Sequence, residues 1–140
     1  MAGGVVEFEV AVEVAYDYLV APRNRPEWQA SLRAVELAAS PGTLRPGLRW
    51  TDVTWPGLRP RMELTLADRP YAWAEHGRWR GFAADLTLHF APTAQGCRVL
   101  AEFELRARGP LRPLGRALTT LAVRPVLADL RRAARILAAP

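Results

Sequence analysis

The chain has 140 residues, of which 50% are hydrophobic and 24% are charged, a composition typical of a globular domain with its own core. No apolar run reaches the ~18 residues that a membrane span needs, and the first ten residues lack the pattern of a signal peptide. The single cysteine, Cys97, excludes an internal disulfide and a cysteine-based zinc site. We therefore expect one domain over residues 1–140, located in the cytoplasm.

The formal net charge is +5, and all 19 basic residues are arginine. The excess lies in the last thirty residues, where one acid, Asp129, stands against six arginines: Arg112, Arg116, Arg124, Arg131, Arg132 and Arg135. The absence of lysine, with abundant Ala, Gly and Pro, indicates the codon bias of a GC-rich genome more than selection for phosphate binding. Arginines still attract anionic surfaces, so both a solvated helix face and weak contact with an acidic membrane stay open.

This C-terminal segment, from about Pro110 to Pro140, predicts one long amphipathic helix. Its apolar residues recur at steps of three and four, which places them on one helical face: Leu111, Leu114, Leu118, Leu121, Leu127, Leu130, Ala134 and Leu137. Pro125 lies inside the pattern, and because proline removes a backbone hydrogen bond we expect a kink or a break there. The helix should cover the apolar face of a sheet.

The chain upstream of this helix begins with a strand and two short helices. Apolar residues alternate with glutamates over residues 6–10, which predicts a half-buried strand. Helical spacing over residues 12–20 predicts a short helix that Pro22 ends. Asn24 is expected to cap a second short helix, with Trp28 on its buried side.

From Arg33 onward the apolar residues alternate with polar ones, which predicts six further strands. Turn signals separate them at Ser40-Pro41-Gly42, Arg45-Pro46-Gly47, Trp55-Pro56-Gly57, Asp68-Arg69-Pro70, Arg80-Gly81 and residues 92–96. Short turns imply antiparallel neighbours, so we predict one curved antiparallel sheet. In its fourth strand, Met62, Leu64 and Leu66 are expected on one side.

Five strings of the sequence carry a family resemblance: Tyr16-Asp17-Tyr18-Leu19, residues 22–28 (PRNRPEW), Pro46-Gly47-Leu48-Arg49-Trp50, Asp68-Arg69-Pro70-Tyr71, and residues 90–99. They resemble the polyketide cyclase/dehydrase branch of the START-like, Bet v 1-like (SRPBCC) superfamily. The resemblance implies an α+β helix-grip fold: a curved seven-stranded antiparallel sheet around a long C-terminal helix, with two short helices after the first strand. It also implies a hydrophobic ligand cavity between sheet and helix. The chain departs from the family at Ala11-Val12, where a proline pair is often found.

Alternation on the strands supplies candidates for the lining of this cavity. Large aromatic side chains on a concave sheet can bind a flat apolar ligand or can fill the core themselves, and both interpretations stay open. The predicted lining is Trp50, Met62, Leu64, Tyr71, Trp73, Glu75, Trp79, Leu86, Leu88, Phe103, Leu118 and Leu121.

Glu75 is the one weak candidate for catalysis. Alternation places its carboxyl group among aromatic side chains, where burial would raise the pKa and permit general acid or base chemistry. The alternative is a strand bulge, or a hydrogen bond to an arginine on the ligand side of the strand, without catalysis. Asp52 could act as its partner if it faces inward with Trp50, although Val53 and Trp55 compete for the inward side of that strand.

Other kinds of site find little support in the sequence. His76 and His89 are the only histidines and lie on the polar sides of predicted strands, so we expect no metal and no cofactor. No glycine-rich phosphate loop is present. A basic cluster near the start of the helix is a weak nucleic-acid signal, so no nucleic-acid partner is expected: Arg106, Arg108, Arg112 and Arg116.

The sequence and the resemblance together predict a module that binds a hydrophobic small molecule, which could be lipid-like, a quinone or an aromatic polyketide. The first alternative is an enzyme of the polyketide aromatase/cyclase type, a cyclase or dehydratase using a buried acid such as Glu75. The second is a module that docks on a membrane or a protein through its basic C-terminal helix. Monomer and homodimer both remain open.

Overall fold

The computed structural model describes residues 2–37 and 42–140. The order of its elements is the predicted one, with two single 3₁₀ turns added at Pro22–Asn24 and Gly109–Leu111. The helices and strands are β1 (Ala2–Phe8), α1 (Val12–Val20), α2 (Arg25–Trp28), β2 (Leu32–Glu36), β3 (Arg49–Thr54), β4 (Arg61–Asp68), β5 (Ala72–Trp79), β6 (Phe82–Thr93), β7 (Gly96–Ala107) and α3 (Leu114–Ala138). Ser40 and Pro41 of a predicted turn lie outside the described residues.

The seven strands form one antiparallel sheet in the order β1-β7-β6-β5-β4-β3-β2. Consecutive strands from β2 to β7 are neighbours, and β1 pairs with β7 at the far edge. The long helix α3 packs mainly on β1, β7 and α2. The curved sheet therefore grips a C-terminal helix that lies toward one of its edges, which confirms the predicted helix-grip fold.

The first helices close one end of the sheet. Tyr16 of α1 places its ring edge-on to Phe90 at 5.2 Å and to Trp73 at 6.3 Å between centroids, and Trp28 is buried as predicted. Asn24 stands at the start of α2 but does not cap it, because its side-chain amide donates to the carbonyl oxygen of Tyr18 at 3.3 Å. The hydrophobic core is therefore fully packed at this end of the sheet.

A β-bulge in β4 changes which side chains face the helix. Leu64 pairs with Glu75 and Leu66 with Ala74, so Thr65 is an extra residue that has no partner on β5. As a result Leu64 is fully buried whereas Leu66 is exposed. The prediction that both leucines share one side was wrong, because alternation cannot detect an inserted residue.

Helix α3 continues through Pro125 without interruption, which decides against a break at that residue. Its second half is hydrogen-bonded to the end of α2 and the residues that follow it: the backbone N–H of Ala30 donates to Asp129 at 3.2 Å, and Arg132 donates to the carbonyl of Trp28 at 3.2 Å. None of the helices within residues 2–37 and 42–140 has the length and apolar character that crossing a bilayer requires.

The first half of α3 packs through small residues rather than through the predicted leucines. A Cβ on Gly115 would lie 3.1 Å from the carbonyl oxygen of Leu105, and the hydroxyl of Thr119 accepts a 2.9 Å hydrogen bond from the backbone N–H of Leu105. This edge of β7 lies beyond the end of β1, so Thr119 satisfies a backbone group that has no strand partner. The prediction that Leu114 and Leu121 lie on the buried face was wrong, because close approach to a strand edge requires small side chains.

Candidate ligand-binding site

Strand register arranges the inward side chains of β5, β6 and β7 in rows that run across the sheet. The successive rows are Trp73–Leu88–Ala101, Glu75–Leu86–Phe103, Gly77–Ala84–Leu105 and Trp79–Phe82–Ala107. The first row is completely buried, whereas most members of the other three are only half-buried. The inner face of the sheet thus changes, along the strands, from a packed core to an apolar surface that the protein leaves partly uncovered.

The uncovered part of this face is aromatic and aliphatic. The ring of Trp79 stacks on that of Phe82, with 6.2 Å between centroids and 19° between planes. The side chain of Met62 lies over Gly77, where an added Cβ would meet its sulfur at 2.7 Å. Leu118 of α3 is also half-buried. Such a surface can bind an apolar molecule, because covering it removes apolar area from water.

A buried ion pair marks the boundary between the packed and the uncovered parts. Arg25 of α2 donates from both terminal nitrogens to the two carboxylate oxygens of Glu75, each at 2.7 Å. The two residues are only 3% and 5% exposed. The Nε–H of Arg25 donates to the side-chain oxygen of Gln29 at 2.8 Å, and the indole N–H of Trp73 lies 3.4 Å from the Glu75 carboxylate. Because Arg25 engages both oxygens, neither is placed to exchange a proton with a bound molecule.

Asp52 is a second buried carboxylate beside this pair. It accepts a 2.9 Å hydrogen bond from the indole N–H of Trp50, and both residues face inward, whereas Trp55 is exposed. Burial raises the pKa of Asp52 to about 6; the charge of Arg25 opposes this shift, and that of Glu75 adds to it. Asp52 therefore takes up a proton at a higher pH than an exposed aspartate does.

The space beside this cluster is almost completely filled. A pocket of about 10 Å³ remains, too small to hold more than one water molecule. Its lining is Val20, Pro22, Arg25, Val35, Leu44, Leu48, Trp50 and Trp73. At this end of the sheet the tryptophans themselves fill the core.

A much larger open cleft of about 920 Å³ lies where the β5–β6 turn and the end of β7 meet the start of α3. Its lining includes apolar Phe82 and Leu105 from the inner face, one acid, Glu104, and six arginines: Arg78, Arg80, Arg106, Arg108, Arg112 and Arg116. The cleft is thus basic, whereas the sequence predicted an apolar cavity. None of the twelve predicted lining residues belongs to it.

Burial separates the twelve predicted residues into three groups. Trp50, Leu64, Trp73, Glu75 and Leu88 are buried, and Met62, Trp79, Leu86, Phe103 and Leu118 are half-buried. Tyr71 and Leu121 are instead 54% and 68% exposed. Tyr71 precedes β5 and belongs to a turn, in which its backbone N–H donates to the carbonyl of Asp68 at 2.7 Å, so the alternation of the strand does not extend to it.

The remaining polar candidates pair with neighbouring side chains. His76 contacts Asp85 at 2.7 Å, and His89 contacts Glu102 at 2.9 Å. In the described part of the chain no three His, Cys, Asp or Glu side chains converge as a metal site. Sequence reasoning missed Arg25, since nothing in the sequence distinguishes it from the other arginines, which are mostly exposed.

The geometry defines a class of protein: a helix-grip domain whose sheet offers a partly uncovered apolar inner face next to its C-terminal helix. Residues 4–139 match the family described as "Polyketide cyclase / dehydrase and lipid transport". The chain belongs to this family. No curated protein matches it in sequence.

Solved structures show the same fold at low sequence identity. A START superfamily protein from Mycobacterium smegmatis superposes with a TM-score of 0.78 over 97% of both chains at 10% identity. Protein MLL2253 from Mesorhizobium loti gives 0.77 over 97% of this chain and 95% of its own at 13% identity. The di-domain ARO/CYC StfQ from the steffimycin biosynthetic pathway gives 0.74 over 96% of this chain and 49% of its own at 14% identity.

Proposed function

We propose that the protein binds a hydrophobic small molecule on the uncovered part of the inner sheet face, beside the first half of α3. The observation that carries this proposal is the change along the rows of inward side chains, from fully packed to half-buried. A ligand that covers about 200 Å² of this apolar surface gains about 5 kcal/mol before the cost of association, at roughly 25 cal/mol per Å².

The chemistry of the surface favours a lipid-like molecule, a quinone or an aromatic polyketide. The rings of Trp79 and Phe82 provide flat aromatic area against which a planar ring system can pack, beside the guanidinium of Arg80, which lies 5.0 Å from the centre of the Trp79 ring. Leu86, Phe103 and Leu118 add aliphatic and aromatic area nearby. The family description, which names polyketide cyclase/dehydrase and lipid transport, is consistent with ligands of these classes.

Binding without catalysis fits the buried acids better than a cyclase or dehydratase reaction does. General acid–base chemistry requires a carboxyl group within hydrogen-bonding reach of the substrate. Arg25 engages both oxygens of Glu75, and Asp52 lies beside the filled pocket and bonds to Trp50. Neither acid lines the open cleft.

A pair of neighbouring alanines on β6 provides the test. Ala84 lies in the third inward row and is half-buried, whereas Ala83 lies on the opposite face of the strand and is also half-buried. Ala84→Phe should fill the proposed site and weaken binding at least tenfold, while Ala83→Phe should leave it unchanged. Tryptophan fluorescence titrations with a long-chain fatty acid, a short-chain quinone and an anthraquinone measure the affinity, and melting temperatures control for folding.

Native mass spectrometry of the protein from its expression host adds an independent readout. A co-purified apolar molecule that is lost in Ala84→Phe and retained in Ala83→Phe would support the proposal. Equal affinity in both variants and the unmodified protein, or no saturable binding of any of the three ligand classes, would show that the inner face is not a ligand site.

A further inference from the structure

We propose that the open cleft between the end of β7 and the start of α3 binds a small molecule that carries two or more phosphate or carboxylate groups. The cleft has a volume of about 920 Å³, which is within the usual range for small-molecule sites. The inference does not rest on the hydrophobic ligand proposed above, because the anion would lie against the outer face of the sheet.

One wall of the cleft is this outer face. Arg78, Ala83 and Arg106 form a row across β5, β6 and β7, and all three line the cleft. They alternate along their strands with the inward residues described above. Because Ala83 lies between the two arginines, its small side chain leaves room for a ligand between them.

The other wall is the basic side of the first part of α3. Arg116 and Thr120 are one turn apart on the helix, and Arg112 lies a further four residues before them, so the three share one side. All three line the cleft, whereas Leu114 and Leu121 do not. The helix therefore turns its arginines, and not its exposed leucines, toward the outer face of the sheet.

Most arginines of the cleft lack an acidic partner. No Asp or Glu occurs in the sequence from residue 105 to residue 128, and the single lining acid, Glu104, is itself 3.3 Å from Arg106. Within the described residues, no carboxylate oxygen lies within 4.0 Å of four of the lining arginines: Arg80, Arg108, Arg112 and Arg116. A concave surface with this much uncompensated positive charge attracts anions.

Neighbouring side chains hold the two arginines of the sheet wall in place. Arg78 donates from Nε to Nε2 of His76 at 3.1 Å, so His76 carries its proton on Nδ1 and donates to Asp85 at 2.7 Å. The same Asp85 is paired with Arg106. In the described part of the chain the terminal nitrogens of Arg78 have no hydrogen-bond partner, so they are available to an oxyanion. A side chain that is already ordered loses less entropy on binding.

A small polyanion fits these arginines better than other occupants do. The planar guanidinium binds the oxygens of phosphate and carboxylate groups in pairs, and arginines on two walls require more than one such group. A nucleic acid is usually bound by a helix or strand that enters its groove, whereas this basic surface is concave. A second copy of the chain would bring the same arginines face to face.

Isothermal titration calorimetry with inorganic phosphate, pyrophosphate and citrate at about 0.1 M salt tests the inference. We expect saturable binding of one pyrophosphate or citrate per chain, at least about tenfold tighter than that of phosphate, because linked anionic groups can reach both walls. The tighter binder of the two identifies whether the site prefers phosphate or carboxylate groups.

Two pairs of arginine variants locate the site. Arg112→Gln/Arg116→Gln should weaken binding of the tighter anion at least about tenfold. The control, Arg131→Gln/Arg135→Gln, has the same spacing on the same helix and the same net charge, but its two exposed arginines lie outside the cleft. It should weaken binding less than about twofold. Arg78→Gln, on the opposite wall, should also weaken binding.

Two alanine variants separate this site from the inner face. Ala83→Phe should fill the space between Arg78 and Arg106 and weaken anion binding, whereas Ala84→Phe, on the other face of β6, should not. This pattern is the reverse of the one expected for the hydrophobic ligand. Either proposal can therefore fail while the other stands.

Three results would overturn the proposal. The first is the absence of saturable binding of pyrophosphate and citrate up to about 1 mM. The second is an equal loss in the two arginine pairs, which would indicate a general effect of net charge. The third is a DNA duplex of about 20 bp that binds more tightly than any of the small anions and is lost in Arg112→Gln/Arg116→Gln, which would assign the arginines to a nucleic acid.

Discussion

Removing the charge of Arg25 should destabilise the protein more than removing the charge of Glu75. In Arg25→Met, Glu75 loses the two 2.7 Å hydrogen bonds that satisfy its oxygens, and Asp52 is a second buried carboxylate without a cation. In Glu75→Gln, Arg25 loses the charge and hydrogen bonds of Glu75 but retains the nearby charge of Asp52, which offsets part of the cost of burying the guanidinium. The two substitutions are therefore not equivalent.

The magnitudes follow from the burial of the pair. Removing one partner of a buried ion pair costs about 3–5 kcal/mol, because the remaining charge is left without compensation. We expect a loss of this size for Arg25→Met and about 1–3 kcal/mol for Glu75→Gln, which leaves a partly satisfied guanidinium. Replacing both, as in Arg25→Met/Glu75→Leu, should recover most of the loss, since no unpaired charge of the pair remains.

Urea unfolding followed by tryptophan fluorescence measures these differences. A loss of about 4 kcal/mol lowers the urea midpoint by about 2.7 M for a slope near 1.5 kcal/mol per M. Lowering the pH from 7 to 5 should restore part of the stability of Arg25→Met, because burial raises the pKa of Asp52, the charge of Arg25 no longer opposes that shift, and the carboxylate takes up a proton. If Glu75→Gln costs as much as Arg25→Met, or if Arg25→Met costs less than about 1 kcal/mol, the reasoning is refuted.

Two further predictions concern Asp52 and Thr119. The pKa of Asp52 in the folded protein, about 6, lies above the ordinary value of ~3.9, so the folded state binds this proton more tightly than the unfolded state does. The contribution of Asp52 to stability therefore falls as the pH rises from about 4 to 6, and it is constant above about pH 6. Asp52→Asn should abolish this slope in urea titrations and stabilise the protein at pH 7 by about 2–3 kcal/mol; an unchanged slope would contradict the assignment. Thr119→Val should lower the free energy of unfolding by about 1–3 kcal/mol, because it leaves the N–H of Leu105 unpaired. Thr119→Ser keeps the hydroxyl, so thermal unfolding should show a loss less than half as large. Equal losses in the two variants would show that packing of the side chain matters and the hydrogen bond does not.

Much of the fold follows from local patterns in the sequence. The alternation of β5, β6 and β7, the turns between them and the helical spacing after Pro110 predict the elements and their order. Two features escape such reasoning because they depend on tertiary contacts. The bulge at Thr65 shifts one strand relative to its neighbour, and the face that α3 buries in its first half is selected by contact with an open strand edge.

The candidate site was less accessible to prediction than the fold. Trp79, Leu86 and Phe103 were expected on the inner face because alternation is a reliable guide within a regular strand. Arg25 could not be identified as the partner of Glu75, since fifty residues separate them and the sequence holds many arginines. Nor does alternation indicate how much of an inner face a helix will cover, and this determines the extent of the candidate site.

The buried ion pair has a consequence for how the chain selects its structure during folding. Sliding β5 by one residue would turn His76 and Arg78 inward and leave Glu75 on the outer face, away from Arg25. The pairing of β4 with β5 shifts by one residue at the bulge at Thr65, and Glu75 pairs with Leu64 next to that position. The ion pair between Arg25 and Glu75 therefore stabilises only one alignment of the strands. Two charges that contribute little net free energy to the folded state would then act mainly by raising the energy of misaligned sheets.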